Sequence, residues 1–250
     1  MIVMLIYTVQ RGDRLIRIAE EFGVTPESII EANGLPNPGN LLTGQSLIIP
    51  TERPEIRRTA IAVNGYLYFL GLEGESIVHE RAPDLSILTP FSYVVGTDGR
   101  ITPIDDEPLI AAAFENQLVP MMCIVNFAYG ISGRDIVHAL LNDQAAMENL
   151  IRNVLAVMRQ KGHRGLNIDF EYVPGEDRER YNEFLRMAAE RLHGAGFFIS
   201  TAVAPKIGPE MRGLLYEGID YAAHGALMDF VILMTYEWGY TTGPPMAIAP

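Results

Sequence analysis

The chain has 250 residues, of which 48% are hydrophobic and 20% are charged, and its formal net charge is −12 at pH 7. This composition is typical of a folded globular protein, and the length allows one large domain or a small module joined to a larger one. The acidic balance argues against general nucleic-acid binding, which needs clustered Lys and Arg to displace counterions from phosphates. A neutral sugar or peptide ligand remains open.

The cysteine, histidine and apolar patterns argue against several further features: a disulfide, a signal peptide, a membrane span and a metal site. The single cysteine, Cys123, excludes a disulfide within the chain, and its apolar neighbours predict a buried side chain. The N-terminal apolar run is too short for a secretory signal and lacks a basic leader, so no conventional signal peptide is predicted. No stretch approaches the roughly 20 apolar residues that span a bilayer. The histidines lack metal-ligand spacing, so no metal site is expected.

A small N-terminal module is predicted over residues 6–50. A β-rich run at 6–9 precedes a turn and then a stretch with the apolar period of a helix. Thr25 and Pro26 are typical of the start of a second helix, as N-cap and first helical residue. The final run, QSLIIP, predicts a second strand, so the order is strand, helix, helix, strand.

Four segments of this module resemble the LysM domain: YTVQRGD, IAEEFGV, IIEANGL and LLTGQSLIIP. The resemblance implies binding of glycans that contain N-acetylglucosamine, including peptidoglycan and chitin, in a shallow groove. The residues that it places in this groove are Gly12, Asp13, Arg14, Leu15, Asn33, Gly34, Leu35 and Ile49. The alternative is that Gly12 and Asp13 only form a turn and cap the first helix.

Residues 51–58, TERPEIRR, are polar and contain a proline, which predicts a linker. Over 59–250, apolar strand-like runs alternate with mostly helical segments. These segments are EGESIVHERAPD, DDEPLIAAAFENQ, DQAAMENLIRNVLAVMRQKG, GEDRERYNEFLRMAAERLHGAG and GPEMRGLLYEGIDYAAHG. The six runs are TAIAVNGYLYF, SILTPFSYVV, LVPMMCIVNFA, GLNIDFEYV, FFISTAVAP and MDFVILMTYEW. This alternation predicts parallel βαβ units, which fit either a doubly wound open sheet or a (β/α)8 barrel.

The position of the polar residues favours the barrel. No glycine-rich phosphate-binding motif follows a strand, which removes the main support for the open sheet. Polar residues stand instead at the ends of several runs, as a barrel active site requires. We therefore predict an α/β fold with a TIM-type (β/α)8 barrel after the βααβ module. Since such a barrel has eight strands in about 250 residues, we expect it to be C-terminally incomplete here and the chain to be a fragment of a longer protein.

In the fourth run, Asn167, Asp169 and Glu171 alternate with apolar residues and share one face of the predicted strand. In a barrel this face points inward, toward the rim. Two neighbouring carboxylates repel each other there, so one can keep a proton and act as a general acid. The alternative is an amphipathic strand with one face in water, which suits an antiparallel sheet better than a βαβ pattern.

The segment GLNIDFEY resembles the signature strand of the chitinase-like glycoside hydrolases of family 18, and ILMTYEW resembles a later strand of that family. Combined with the LysM-like module, they are similar to bacterial spore-cortex N-acetylglucosaminidases, also described as spore germination proteins. The resemblance implies a retaining, substrate-assisted cleavage with no metal or organic cofactor. It implies Glu171 as the acid and then the base, Asp169 as the residue that orients the 2-acetamido group of the sugar, and Tyr236 as a hydrogen-bond donor to that group.

This chain departs from the family pattern at Arg164, Asn167 and Glu237, each of which stands where the family carries an Asp. Asn167 cannot ionise, which shortens the charge relay behind Asp169. Together with Asn126 and Trp238, Asn167 and Glu237 are expected to bind the sugar. For Trp238, stacking on a sugar and packing in the core are both open.

The predicted function is hydrolysis of spore-cortex peptidoglycan at N-acetylglucosamine bonds, with the LysM-like module directing the protein to the spore or cell wall. The alternative is a non-catalytic protein that binds peptidoglycan or chitin and uses the incomplete barrel as a scaffold. A chitinase proper would share the mechanism and differ in substrate. The expected partners are peptidoglycan or chitin-type glycans, with no nucleic acid and no membrane insertion.

Overall fold

The computed structural model describes residues 2–52, 61–127 and 133–236. Contacts divide the chain into two compact units, Met1–Ile61 and Ala62–Pro250. Each unit has its own cluster of buried apolar side chains. Within the described ranges, no helix is both long enough and apolar enough to cross a membrane.

The first unit has the predicted order of two strands and two helices. Its elements are β1 (Ile2–Thr8), α1 (Leu15–Phe22), α2 (Pro26–Asn33) and β2 (Ser46–Glu52). The two strands pair antiparallel, with Ile6 opposite Ile48. The side chain of Thr25 accepts the N–H of Ser28 and so caps α2, as its sequence predicts. Both helices end at a glycine in the left-handed region, which other residues adopt at a cost.

The second unit contains a parallel sheet that includes all six predicted strands. Its strands are β3 (Asn64–Leu67), β4 (Ile87–Pro90), β5 (Tyr93–Val94), β6 (Val119–Val125), β7 (Gly165–Asp169), β8 (Phe198–Val203) and β9 (Phe230–Leu233). The main path runs β3-β4-β6-β7-β8-β9, and the short β5 pairs with β6. Every neighbouring pair in this path is parallel.

The strand order tests the predicted barrel against the doubly wound sheet, which the alternation of strands and helices also allows. A doubly wound sheet reverses its strand order at a switch point, whereas the main path here follows the chain without a reversal. Sequential order is that of a singly wound, curling barrel sheet. The described residues form an open half-barrel of six main strands with helices, so the predicted barrel architecture is confirmed.

In the described part of the second unit, six α-helices accompany the sheet. They are α3 (Gly71–Arg81), α4 (Glu107–Glu115), α5 (Gly133–Leu141), α6 (Gln144–Lys161), α7 (Arg178–Gly194) and α8 (Tyr221–Leu227). The sequence interpretation missed α5, because this helix of nine residues lies in a short span between a strand and a much longer helix. It also began the last helix too early, since 208–220 is made of turns and irregular backbone.

The apolar face of β7 packs as predicted. Leu166 and Ile168 are buried, and the Phe170 ring stacks on Tyr181 and Phe184 of α7, with ring centroids 6.0 and 5.9 Å apart. Because side chains alternate along a strand, this packing turns Asn167 and Asp169 toward the concave side of the sheet.

Two predicted boundaries differ from the structure. The predicted linker begins at residue 51, but β2 continues through Thr51 and Glu52 because both pair with β1. Positions 53–58 lie outside the described residues. The fourth predicted strand was extended to Val173, whereas β7 ends at Asp169.

Candidate active site

A cavity of about 610 Å³ lies in the second unit, where the carboxyl ends of several parallel strands come together. Its lining comes from the strands β3, β7, β8 and β9 and from the chain just after β3, β4, β6, β7 and β9. The lining residues are Asn64, Tyr66, Tyr68, Phe91, Phe127, Asp169, Glu171, Ala202, Ile232, Leu233, Met234 and Tyr236. This edge of the sheet is where barrel enzymes hold their active sites, and the volume suits a small-molecule ligand.

Asp169 is the last residue of β7, and only 5% of its surface is exposed. Burial raises the pKa of this carboxyl, the negative charge of Glu171 adds a smaller shift in the same direction, and together they bring it to about 7. The Oδ1 atom has no hydrogen-bond partner among the described protein groups. Buried polar atoms normally have partners, so this oxygen is a candidate position for a hydrogen bond to a ligand.

Glu171 lines the same cavity, but it stands on the loop after β7 and not on the strand itself. The alternation of the strand persists far enough to bring both carboxyl groups to the cavity. The chain then turns away at Tyr172, whose φ of 56° lies in the left-handed region. The two candidate acids therefore line one cavity, Asp169 from the end of a strand and Glu171 from the loop that follows it.

Asn126 holds the backbone of Glu171. Its Oδ1 accepts the N–H of Glu171 at 2.9 Å, and its Nδ2 donates to the carbonyl of Glu171 at 2.7 Å. The same Nδ2 donates to the carbonyl of Gly133 at 2.8 Å. Asn126 is fully buried and does not line the cavity, so the structure contradicts the predicted sugar contact.

Asn167 lies below Asp169 inside the half-barrel and is fully buried. Its Oδ1 accepts the hydroxyl of Tyr66 at 2.9 Å, and its Nδ2 donates to Ser200 Oγ at 3.0 Å. Asn167 therefore bonds groups of the protein and does not line the cavity, so the structure contradicts its predicted contact with the sugar. As a neutral amide, it adds no charge to the surroundings of Asp169.

Aromatic side chains form much of the cavity wall. Phe91 meets Tyr66 edge-on at 6.0 Å and lies 6.4 Å from Phe127, while Tyr68 is 78% exposed at the opening. The sequence interpretation missed these four residues. The signal available was an aromatic residue at or just after the end of three strand-like runs, YLYF, TPF and VNF.

Tyr236 also lines the cavity, from the turn after β9, and it is 55% exposed. Its hydroxyl lies 3.9 Å from Met234 Sδ. Glu237 and Trp238, which the sequence analysis assigned to sugar binding, lie outside the described residues. Across the cavity, burial raises the pKa of Tyr66, and the charges of neighbouring groups including Asp169 add to this shift.

The loop after Glu171 is attached to α5. Asp177 is buried and bonds His138 Nδ1 at 2.6 Å through Oδ2 and Asn142 Nδ2 at 2.8 Å through Oδ1. Next to it, Arg134 forms an exposed ion pair with Glu176 at 3.2 Å. The helix that the sequence interpretation missed therefore holds the segment that carries the second carboxylate.

Among the described residues, no group of three His, Cys, Asp or Glu side chains is placed to hold a metal ion. The side chains that line the cavity include carboxyl, phenol and aromatic groups.

The predicted groove of the first unit is only partly surface. Gly12, Arg14 and Gly34 are exposed, and Asp13, Asn33 and Leu35 are partly exposed. Leu15 and Ile49 are buried at 8% and 0% exposure, so the structure corrects their assignment from glycan contact to core.

Two polar residues of this predicted groove form hydrogen bonds with other groups of the protein. Asn33 donates to the carbonyls of Ile29 and Ile48 at 2.8 and 2.7 Å and accepts the N–H of Ile48 at 2.7 Å. Asp13 accepts the hydroxyl of Tyr7 at 2.8 Å and the N–H of Gln10 at 2.7 Å. Asp13 therefore holds the turn before α1, as the alternative interpretation predicts. It does not cap α1, which has no side-chain cap.

Comparison with known families agrees with this division of the chain. The LysM domain matches residues 7–50, and glycosyl hydrolases family 18 matches residues 130–248. The chain is 32% identical to the cortical fragment-lytic enzyme of Bacillus subtilis (strain 168) over 296 aligned positions, which cover 99% of this chain and 69% of that protein. For the enzyme of the same name from Bacillus anthracis, identity is 35% over 295 positions, covering 98% and 68%.

Solved structures give the same relationship. The spore cortex-lytic enzyme SleL of Bacillus cereus matches with a TM-score of 0.74 at 33% identity, covering 98% of this chain. The chain spans 57% of the length of that solved protein. A chitinase from Chromobacterium violaceum matches with a TM-score of 0.66 at 22% identity, over 72% of this chain and 57% of its own, which shows a common fold. The chain therefore carries a LysM domain and belongs to glycosyl hydrolases family 18, with the cortical fragment-lytic enzymes among its relatives.

Proposed function

We propose that this chain hydrolyses N-acetylglucosamine glycosidic bonds in spore-cortex peptidoglycan, with net retention of configuration and with assistance from the substrate. The observation that carries the proposal is the pair of carboxyl groups at one cavity, Asp169 and Glu171, of which Asp169 has a pKa raised to about 7. The family and the relatives named cortical fragment-lytic enzymes support the substrate.

In the first step, Glu171 donates a proton to the glycosidic oxygen of the leaving sugar. The carbonyl oxygen of the substrate's own 2-acetamido group attacks the anomeric carbon as the bond to the leaving oxygen breaks, giving an oxazolinium ion. In the second step, the Glu171 carboxylate takes a proton from water while the water oxygen attacks the anomeric carbon and opens that ring. Two inversions at one carbon give net retention.

Asp169 orients the acetamido group in this scheme. Its Oδ1 atom, which lacks a partner among the described protein groups, accepts the acetamido N–H and stabilises the positive charge that develops on the ring. The burial of Asp169 favours this role, because a positive charge nearby offsets the free-energy cost of keeping a carboxylate out of water. Tyr236 donates a hydrogen bond to the acetamido oxygen from the rim of the cavity.

The aromatic wall provides apolar faces for the sugar rings. Phe91, Phe127 and Tyr68 present ring surface to the cavity, and rings of this kind stack on the C–H face of a sugar. Glu237 and Trp238 complete the proposed sugar contacts. No step of the scheme requires a metal ion or an organic cofactor.

The two domains indicate a glycan of the peptidoglycan or chitin type and an association with the spore or cell wall. We assign residues 6–52 to glycan binding, since β2 continues through Thr51 and Glu52, and residues 59–250 to hydrolysis. In the first unit, the exposed Gly12, Arg14 and Gly34 contact the glycan, and Asp13 and Leu35 border them.

The test is to incubate the protein with spore-cortex fragments and, separately, with chitin oligomers, and to analyse the products by mass spectrometry. We expect new reducing N-acetylglucosamine ends from the cortex fragments. Glu171→Gln should lower turnover at least about 100-fold, since general acid–base catalysis contributes that much or more, while peptidoglycan pull-down stays unchanged. Glu190→Gln, an exposed carboxylate on α7, is the matched control.

Other outcomes would favour the competing functions. Binding to peptidoglycan with no turnover of either substrate would indicate a non-catalytic wall-binding protein. Turnover of chitin oligomers alone would indicate a chitinase. Equal turnover by Glu171→Gln and Glu190→Gln would assign the chemistry to another residue.

A further inference from the structure

We propose that Asn126 is a positioning residue for the proposed acid/base, because its side chain fixes the peptide groups on both sides of Glu171. The inference rests on the proposed function, in which Glu171 reacts. It assigns Asn126 a role that requires no contact with the sugar.

The register of the sheet explains why such a residue is needed. Strands β6 and β7 pair up to Val125 opposite Asp169, where the backbone ladder ends. Glu171 is two residues beyond that last pair, and Asn126 is one residue beyond it on the neighbouring strand. The Asn126 amide bonds both the N–H and the carbonyl of Glu171, so a side chain extends the ladder past its end.

The amide of Asn126 has a single satisfied arrangement. A side-chain amide offers one acceptor oxygen and two N–H donors. Here the oxygen accepts from Glu171, one donor goes to Glu171 and the other to Gly133, at the start of α5. A rotated amide would place donor against donor at the Glu171 N–H. The side chain is fully buried, so water cannot replace these bonds without a rearrangement.

The backbone after Glu171 depends on this attachment. Tyr172 is a non-glycine residue in the left-handed region, a conformation that persists where the surrounding structure enforces it. Without Asn126, Glu171 and Tyr172 would gain freedom together, and the carboxyl group of Glu171 would lose its fixed place at the cavity. A displacement of about 1 Å of a catalytic group can lower turnover about 100-fold.

The experiment compares Asn126→Ala and Asn126→Leu with Asn153→Ala. Asn153 is the matched control, because its amide also donates to a backbone carbonyl, that of Gly99 at 2.9 Å, and it lies outside the cavity lining. With cortex fragments as substrate, we expect both Asn126 variants to lose about 100-fold in kcat with KM changed less than about threefold. Asn153→Ala should stay within about twofold of the parent. Leucine restores volume and not hydrogen bonds, so a packing role would predict recovery in Asn126→Leu.

Amide hydrogen exchange of Glu171, followed by NMR, tests the same attachment without turnover. We expect the Glu171 N–H to exchange at least about 10-fold faster in Asn126→Ala than in Asn153→Ala, because it loses its acceptor. An unchanged exchange rate, an unchanged kcat, or a raised KM with normal kcat would overturn the proposal, and the last result would restore a direct sugar contact. A parent protein without turnover would instead overturn the proposed function, while the exchange rates would still decide whether Asn126 holds Glu171.

Discussion

The hydroxyl of Tyr66 donates to Oδ1 of Asn167 at 2.9 Å, although 101 residues separate the two along the chain. Tyr66 lies on β3 and Asn167 on β7, and two strands, β4 and β6, stand between them in the sheet. A direct side-chain bond between strands that are not neighbours requires a strongly curled sheet. This bond thus closes the floor of the cavity beneath Asp169.

Tyr66→Phe should lower the free energy of unfolding by about 1–2 kcal/mol, because it removes the hydroxyl donor from a buried amide oxygen. The thiol of Cys123, 3.6 Å from the same oxygen, is a weak replacement. Urea unfolding measures the change. Tyr68→Phe is the matched control and should change stability by less than about 0.5 kcal/mol, since Tyr68 is 78% exposed. Equal effects of the two variants would mean that the hydrogen bond between Tyr66 and Asn167 does not stabilise the fold.

Asp169 should make the stability of the second unit depend on pH. Its pKa is about 7 in the folded protein against an ordinary value of 3.8, so folding favours the protonated form. The stabilisation is complete below about pH 4 and is lost as the pH rises through 7, with an upper limit of roughly 4 kcal/mol. Asp169→Asn, which stays neutral, should lack this loss and be more stable than the parent at pH 8. The measurement is the difference in unfolding free energy between the two proteins from pH 4 to 8. A constant difference across that range would contradict the prediction.

Glu171→Gln should lower the pKa of Asp169, since it removes a negative charge that raises this pKa. The pKa should remain above the ordinary Asp value, because burial is the larger cause. NMR titration of the Asp169 carboxyl carbon measures both effects. Glu190→Gln, on the exposed surface of α7, should leave the titration unchanged. A pKa that does not move in Glu171→Gln would mean that the two carboxyl groups are electrostatically independent.

Two neighbouring acidic residues that follow Glu171, Asp177 and Glu176, should differ in their contribution to stability. Asp177→Ala removes a buried acceptor from His138 and Asn142 and should cost about 1–3 kcal/mol. Glu176→Gln breaks an exposed pair with Arg134 and should cost less than about 0.5 kcal/mol. Thermal unfolding compares the two variants directly. The expectation fails if Glu176→Gln costs as much as Asp177→Ala.

In the first unit, Asn33→Ala should reduce glycan binding through stability. The variant leaves the N–H and carbonyl of Ile48 without their side-chain partner, at a cost of about 2 kcal/mol. Arg14→Ala, at an exposed position, should weaken peptidoglycan pull-down while the unfolding transition stays in place. Unfolding scans together with pull-down separate the two roles. Weakened binding by Asn33→Ala at unchanged stability would return Asn33 to the glycan groove.

The sequence by itself determined the alternation of strands and helices, the βααβ module and the face on which Asp169 lies. These features follow from local rules: apolar period, capping residues and the alternation of side chains along a strand. The same rules predicted Glu171 beside Asp169 although the strand ends between them. The alternation of strands and helices alone allowed both an open sheet and a barrel, because strand order is not a local property, and the polar residues at the strand ends favoured the barrel.

Tertiary structure alone decided which polar residues serve the fold and which face the cavity. Asn126, Asn167 and Asn33 all resembled ligand-binding residues in the sequence, yet their amides bond groups of the protein itself. The aromatic wall and the attachment of the Glu171 loop to α5 emerged only when distant segments came together. The physical reason is that a hydrogen-bond partner or a cavity wall comes from whichever residues folding brings near, and separation along the chain does not encode that choice.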